Sequence, residues 1–395
     1  MKNVSDTPPE KHPPSSCLST SGVTLMPAMD KTDSNCCGPV PNFISVHEKP
    51  GYSLCAYVED FITTDLGPVP RIKTRLGLRD RVSTVLVRCG INRYQYKVAP
   101  GLYGLGSPDK NSEVLVTANF KLSFDHLRRE LSGQNAWILV LDTKGINVWC
   151  AAGKGTFSTQ ELADRIHSTN LDKIVDHRRV IVPQLGATGV SARRVKKKSG
   201  FRVVYGPVRA ADIPKFLENH RKADPAMRTV TFSFVERIVL TPVELQIVLK
   251  PAMIAALVLL VISGIGPGVF SFSDAGSRGL AALAALILGI VSGAVITPAL
   301  LPYIPVREFA LKGGIIGSLA AFFMIGLMPS ASASFSSALA LFLFCVAISS
   351  FLAMNFTGTT PFTSPSGVEK EMKRYIPVQL ASLVLSAGLW LYSAF

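Results

Sequence analysis

Five apolar runs, near 251–269, 280–301, 313–329, 335–354 and 376–395, restrict what this chain can become more than any other feature. Each has about the 20 residues needed to cross the hydrocarbon core of a bilayer. The rear of the chain, 249–395, therefore reads as an all-α transmembrane domain of about five helices. The loops between the runs alternate in charge. Those near 303–312 and 355–375 hold Arg307, Lys312, Lys370, Lys373 and Arg374, whereas the loop near 270–279 holds only Arg278 and that near 328–335 no basic residue. Positive charge favours the cytoplasmic side. The expectation is a multi-pass protein of the inner (cytoplasmic) membrane, with its front region in the cytoplasm and its carboxyl terminus outside. No Asp, Glu, Lys, Arg or His falls inside the runs as drawn. Ion-coupled transporters and proton relays place such groups there, so an anchor is expected, with a five-span transporter or sensor as the rival.

The front of the chain is different. The whole sequence carries 17% charged residues and a net charge of +14, yet only seven basic and four acidic residues lie from Lys250 onward. Most of the positive charge thus sits on a polar front region. Such a balance serves nucleic acid, an anionic lipid leaflet or an acidic partner protein. No nucleic-acid motif accompanies it, so membrane lipid or protein is the expected partner and nucleic acid is not. Seven cysteines, Cys17, Cys36, Cys37, Cys55, Cys89, Cys150 and Cys345, form no C-x-x-C pair. That speaks against an iron–sulfur cluster, a zinc ribbon or a disulfide scaffold and for reduced thiols. Residues 1–45, rich in Ser, Pro, Thr and Gly and lacking an apolar h-region, read as a disordered tail. The vicinal Cys36–Cys37 pair lacks the spacing of a metal site. Residues 237–248 read as a linker.

Between tail and linker, residues 46–236 read as one α/β domain. Its beginning looks β-rich, with short strands expected at Thr84–Cys89 and Tyr94–Val98. Four strand–helix units follow. The strands are Glu113–Ala118, Trp137–Asp142, Arg179–Pro183 and Phe201–Tyr205, with helices near Ser123–Leu131, Thr159–His167, Val190–Lys198 and Ala211–His220. Four such units in a row predict a Rossmann-like parallel sheet with packed helices. Ligands of such sheets bind outside the carboxyl ends of the strands. The four strand-to-helix loops (117–121, 143–155, 184–189 and 206–210) should then line one site. All are rich in Gly, Ala and small polar residues, which lets backbone approach a large flat ligand; ordinary tight turns are the bland alternative.

The second loop is unusually long. Its core is Asn147-Val-Trp-Cys-Ala-Ala-Gly-Lys154, ahead of a capping-box start at Ser158-Thr-Gln-Glu161. Cys150 is expected on an inserted segment above the sheet, uncovered on one side, with Lys154 placed to favour a thiolate. A packed structural cysteine is the competing reading, and spacing alone does not choose.

That segment resembles the signature of the membrane-bound corrinoid proteins of microbial mercury methylation, the HgcA family. Val116-Thr-Ala-Asn-Phe-Lys-Leu-Ser-Phe124, Val140-Leu-Asp-Thr-Lys-Gly145, Tyr205-Gly-Pro-Val-Arg-Ala210 and the rear loop Asn355-Phe-Thr-Gly358 look like the same family. The likeness covers roughly 46–395, and 46–236 is also similar to the corrinoid domain of the corrinoid iron–sulfur protein of acetyl-CoA synthesis. The resemblance implies a cobalamin-type corrinoid, with Cys150 as the lower axial ligand of cobalt and catalytic residue. It implies transfer of a methyl group from methyl-cobalt(III) to mercury(II), giving methylmercury. Mercury(II) is an electrophile, and a thiolate opposite the methyl group would push electron density toward it. From loop position and the signature, Thr117, Asn119, Asn147, Trp149, Ala151, Gly153, Lys154, Gly155, Gly186, Ala187, Pro207 and Arg209 are the expected corrinoid contacts.

None of the six histidines sits in the Asp-x-His-x-x-Gly arrangement of histidine-ligated cobalamin enzymes. With no cluster motif in cis, returning cobalt to its low-valent form calls for a partner. The resemblance implies a ferredoxin-like iron–sulfur reductant protein and a methyl-donor methyltransferase, in an anaerobic setting. The alternative is a membrane-anchored corrinoid methyl carrier of one-carbon, acetyl-CoA pathway-like metabolism with another acceptor.

Overall fold

The computed structural model describes residues 56–93, 95–328, 334–359 and 365–395. The expected tail with Cys17, Cys36 and Cys37 lies outside the described residues, as do Cys55 and part of the 355–375 loop. In chain order the elements are β1 Val58–Thr64, β2 Gly67–Ile72, α1 Leu78–Arg88, β3 Gly101–Leu105, β4 Glu113–Ala118, α2 Lys121–Glu130, β5 Ala136–Leu141, α3 Val148–Gly153, α4 Thr159–Ser168, α5 Leu171–Ile174, β6 Arg179–Val182, α6 Ala192–Ser199, β7 Arg202–Tyr205 and α7 Ile213–Glu218. There follow α8 Phe234–Ile238, α9 Thr241–Ser263, a small hairpin of β8 Ile265–Gly266 and β9 Val269–Phe270, α10 Phe272–Val291, α11 Thr297–Leu300, α12 Phe309–Leu327, α13 Phe335–Asn355 and α14 Pro365–Tyr392. The chain divides into two compact units. One holds the residues up to 76 with 95–227, the other 77–94 with 228–395.

In the first unit one sheet has the order β1-β2-β3-β5-β4-β6-β7. Strands β5, β4, β6 and β7 are parallel, as four βα units require. Beyond them the sheet is mixed: β3 runs antiparallel to β5, β2 parallel to β3, and β1 antiparallel to β2. The reason lies in the connections. A tight turn joins β1 to β2, with Gly67 at φ +122° and the Thr64 hydroxyl donating to its carbonyl at 2.6 Å. Such a turn yields only an antiparallel pair, whereas parallel neighbours need a long crossover.

Strands β4 and β5 are buried along nearly their whole length, which is why they read as unbroken apolar runs. Val114, Val116, Trp137, Leu139 and Leu141 face Leu162, Ile166 and Val195 of α4 and α6. The alternate residues Leu115, Ile138 and Val140 share a second core with Phe124, Leu127, Ile213 and Phe216 of α2 and α7. Helices therefore cover both faces. From β4 the chain steps to β5 on one side and later to β6 on the other. This reversal opens a crevice at the carboxyl ends of β4 and β6, where ligands of such sheets bind.

Two local expectations differ. Thr84–Cys89 is not a strand but the end of helix α1. Its apolar Val85-Leu-Val87 has strand-like composition, yet Asp80 accepts from the Gly77 amide at 3.1 Å and fixes a helix start. Of the strand expected at Tyr94–Val98, Tyr94 lies outside the described residues, and among 95–98 Lys97 makes an isolated bridge to Phe120.

In the second unit five helices are long and apolar enough to cross a membrane: Phe234–Ser263, Phe272–Leu300, Phe309–Leu327, Phe335–Asn355 and Ser366–Tyr392. The first begins well before 251, so the residues expected as a linker are helical, and 265–270 form the β8–β9 hairpin. Small residues let these helices approach closely, the usual device where solvent offers no hydrophobic drive. A Cβ on Gly293 would stand 2.5 Å from the Ser349 carbonyl, and one on Gly313 equally close. The Ser349 hydroxyl donates to the Gly313 carbonyl at 2.7 Å. The helices also carry charge at their ends. Buried Lys312 donates to the carbonyls of Leu301 and Ile304, both at 2.7 Å, and the Ala310 amide donates to buried Glu371 at 2.6 Å. These groups satisfy the free polar groups of helix termini.

Candidate functional site

The site is built from the turn that follows β5. Asn119, just past β4, is buried, and its amide oxygen accepts from the Thr143 amide (3.1 Å), the Thr143 hydroxyl (2.8 Å) and the Gly145 amide (2.9 Å). The Ile146 carbonyl lies 2.7 Å from the same Thr143 hydroxyl, so it and the Asn119 oxygen share that single proton. Lys144 and Gly145 sit at positive φ, +58° and +74°. The Asn119 amide nitrogen donates to Asp142 at 3.2 Å. One residue at the end of β4 thus shapes the turn 142–146, and its side chain is used up in doing so. Thr117 is buried as well. Both lie beneath the crevice and support it.

The residues expected as an inserted loop form instead a short helix, α3. Asn147 caps it, its side-chain oxygen accepting from the Cys150 amide at 2.9 Å. Ala151 and Ala152 face the core, and Trp149 and Cys150 face outward. The Cys150 thiol is free and exposed, and Trp149 is 37% exposed although it is the largest side chain in the segment. Gly153, Lys154 and Gly155 are exposed; a Cβ on either glycine would meet nothing within 4 Å.

Helix α3 rests on the loop after β6 through a close approach at Gly189. A Cβ there would stand 2.0 Å from the Phe157 carbonyl and 3.1 Å from the Ala152 Cα. Gly186 packs on the Phe157 ring in the same way; a Cβ there would stand only 2.5 Å from a ring carbon. The Thr159 amide donates to the Gly189 carbonyl at 3.1 Å, and the Thr159 hydroxyl accepts from the Ser191 amide at 2.8 Å. The Gln184 amide reaches the Pro207 carbonyl at 3.4 Å, tying the loops after β6 and β7 together. Ala187 is half-buried, Pro207 buried and Arg209 exposed. The Gln184 side-chain oxygen is buried with no hydrogen-bond partner among the described residues.

The expected capping box at Ser158–Glu161 is half formed. The Ser158 hydroxyl accepts from the Glu161 amide at 3.2 Å, but the Glu161 carboxylate turns to the Asp142 amide at 2.8 Å. Partial burial pushes the Asp142 carboxyl up, but hydrogen bonds and charge from Lys144 outweigh it and hold the group below the usual carboxylate range. The same ion pair raises Lys144.

The structure therefore gathers α3, the 184–189 loop and the β4 end into one crevice. Sequence reasoning missed Gly189, Phe157, Gln184, Thr143 and Glu161 as residues that set its shape. Thr143, Gln184 and Gly189 lie in the expected loops and Glu161 in the expected capping box, but the role of Thr143 depends on an acceptor 24 residues away and had no local signal. Among the described residues no three His, Cys, Asp or Glu side chains gather as a metal centre. The exposed Cys150 is a single soft donor beside an open glycine-lined space.

Residues 92–217 match the family described as CO dehydrogenase/acetyl-CoA synthase delta subunit. The chain is 34% identical over 128 residues to the acetyl-CoA decarbonylase/synthase complex subunit gamma of Methanopyrus kandleri, covering 32% of this chain and 27% of that protein. It is 30% identical over 122 residues to the corrinoid/iron-sulfur protein large subunit of Moorella thermoacetica, covering 30% of this chain and 27% of that one. The chain spans about a quarter of the length of these relatives. The segment that builds the crevice is thus similar to a domain found in corrinoid proteins and acetyl-CoA synthase subunits.

Proposed function

We propose that the crevice holds a corrinoid, whose cobalt the Cys150 thiolate would ligate, and that the chain is a membrane-anchored, corrinoid-dependent methyltransferase that passes a methyl group to mercury(II). The observation that carries this is the exposed Cys150 thiol on a short capped helix at the point where the strand order reverses. The residues fit such a group in three ways. Cys150 offers a soft donor. Gly153 and Gly155 leave open space for a large ring. The unpartnered Gln184 oxygen stands ready for an amide donor of the kind a corrinoid rim carries. When bound, the corrinoid supplies a cobalt that carries and releases the methyl group.

The protein's part is to position and to donate. Asn147 fixes the first turn of α3 and so the direction of the Cys150 side chain. Asn119 and Thr143 hold the turn from which α3 springs. Ala151 and Ala152 seat α3 on the sheet, and Gly189 sets how close it lies to the β6 loop. Trp149 offers a flat apolar edge. Cys150 as thiolate donates electron density, which favours delivery to an electrophile such as mercury(II) over delivery to a nucleophile. In this reading mercury(II) is substrate. As the family resemblance implies, reduction falls in this reading to a separate ferredoxin-like iron–sulfur protein and remethylation to a methyl-donor methyltransferase. The five apolar helices anchor it in the cytoplasmic membrane.

A second reading is favoured by the gamma-subunit likeness: a corrinoid methyl carrier of an acetyl-CoA-type pathway, with a different acceptor. One experiment separates the two. The full chain, purified without oxygen and loaded with corrinoid, is examined by its visible spectrum and by methylmercury formation with an external low-potential reductant. Wild type is expected to show a thiolate-ligated spectrum and to turn over. Cys150→Ala is expected to stay folded, lose that spectrum and form no methylmercury. Cys150→His is expected to bind corrinoid and methylate mercury poorly or not at all. An unchanged spectrum in Cys150→Ala overturns the ligand assignment. A thiolate spectrum in wild type without methylmercury leaves the carrier reading standing and ends the mercury one.

A further inference from the structure

Helix α1 exposes an apolar stripe that the catalytic reading does not use. Leu78 is 78% exposed, Val82 51%, Val85 60% and Leu86 41%. On a helix turning about 100° per residue these four share one face about 100° wide. Arg79 and Arg81 fall at its two edges, both exposed, and Val87, buried, falls opposite. Neither guanidinium has a hydrogen-bond or ion-pair partner among the described residues. The helix is well made. Asp80 holds its start, and at its end Gly90 takes φ +81° while the Ile91 amide donates to the Leu86 carbonyl at 2.9 Å. Its exposed apolar face is therefore fixed in place, and Ile91, 47% exposed, extends it.

The position of α1 within its unit says what covers that face. Gly90 packs so tightly on Gln246 of α9 that a Cβ would stand 2.7 Å from the amide oxygen. The next residues of α9, Ile247, Leu249, Met253 and Ile254, are exposed and apolar; they begin the first span. Thus α1 lies beside the end of a span where lipid-facing surface starts. An amphipathic helix with arginines at the margins of its apolar face is the form that lies in a membrane interface. Guanidinium groups there pair with phosphates while their stems run along the apolar boundary.

We propose that α1 is an in-plane membrane helix whose Leu78–Val82–Val85–Leu86 face sits in an anionic leaflet, with Arg79 and Arg81 on lipid phosphates. The proposal rests on the reading of α9 to α14 as bilayer-spanning, and the test keeps the two apart. The full chain is reconstituted in nanodiscs of phosphatidylcholine with phosphatidylglycerol. A photoreactive benzoylphenylalanine replaces Val85 in one sample and Met253, 65% exposed on α9, in the other. After illumination the adducts are identified by mass. Lipid adducts at both positions are expected, with phosphatidylglycerol over-represented at Val85. Arg79→Gln with Arg81→Gln is expected to cut that preference about fivefold while leaving adducts at Met253 unchanged. Lipid adducts at Met253 with none at Val85, or coupling of Val85 to a second copy of the chain, overturns the α1 proposal alone. No lipid adduct at Met253 overturns the bilayer reading and the proposal with it.

Discussion

At Asn119 a single buried amide oxygen closes the turn that leads into α3, accepting from the Thr143 amide, the Thr143 hydroxyl and the Gly145 amide. Asn119→Ala leaves these donors without their acceptor. Each buried polar group left unmade costs about 1–3 kcal/mol, so the variant should lose about 2–4 kcal/mol locally. The expected readout is faster amide exchange across 142–154 and weaker corrinoid loading, with the five long apolar helices unaffected. Unchanged exchange there would remove Asn119 from its positioning role. The neighbouring Asp142 adds a pH dependence. Burial opposes its charge, but Lys144 holds the folded-state carboxyl below its usual range. A depressed value stabilises the folded form above the unfolded carboxyl's pKa of about 3.9. That contribution falls away as the pH drops through the folded value. Protection of the 142–146 amides should therefore be flat from neutral pH down to mild acid and decline only below about pH 4. Asp142→Asn should flatten that decline; a loss of protection centred near neutrality would contradict the assignment.

Helix α3 is held by contacts from neighbouring elements, and Gly189 is the tightest of them. A side chain there meets the Phe157 carbonyl and the Ala152 Cα, both backbone, so neither yields cheaply. Gly189→Ala should cost about 1–3 kcal/mol by overpacking and displace α3. Gly153→Ala meets only open space and should leave stability unchanged while lowering corrinoid loading if the ring packs there. Thermal unfolding and loading measured on both variants check this; equal stability losses would show that the crevice is not shaped by Gly189. The same elements show what was legible beforehand. Glu113–Ala118 was readable because both faces of β4 are buried, which leaves an unbroken apolar run. The four-unit order, and so the crevice, followed from it. Helix α1 was not readable, since Val85-Leu-Val87 is β-branched and apolar like a strand, and only the stripe from Leu78 to Leu86 betrays a helix. Helix α3 was missed because a six-residue helix rich in Gly and Ala looks like a loop; Asn147, its cap, was visible in the signature. The bonds that Asn119 makes to Thr143 and Gly145 reach residues distant in sequence, so its part in shaping the turn had no local signal.

At the scale of the whole molecule the second unit carries its charge unevenly. Around one set of helix ends lie Arg237, donating to the carbonyls of Phe232 and Ala299; Lys312, donating to those of Leu301 and Ile304; and Glu371, receiving the Ala310 amide. Arg307 lies in the adjoining turn, and Lys370, Lys373 and Arg374 lie on the first turns of α14. At the other set of ends Arg278 donates to the Trp390 carbonyl at 2.5 Å and stacks 4.7 Å over its ring, with the Ser393 hydroxyl at 3.1 Å. It is the sole basic residue among the described residues of that end. Basic residues retained at one end of a bundle mark the cytoplasmic side. Arg237 and Lys312 are tied to carbonyls at helix ends, and Lys373 pairs with Glu369, so part of the asymmetry is built into the packing. Five helices long and apolar enough to span would carry the chain across an odd number of times. Reporter fusions in the 355–375 loop and at Phe395 should accordingly report opposite sides, with the loop on the cytoplasmic one. The same side for both would mean that one apolar helix does not span, and an external loop would invert the anchor. The second result would also put the proposed corrinoid crevice on the wrong side of the membrane for a cytoplasmic reductant, so this measurement bears on the proposed chemistry as directly as any substitution at Cys150.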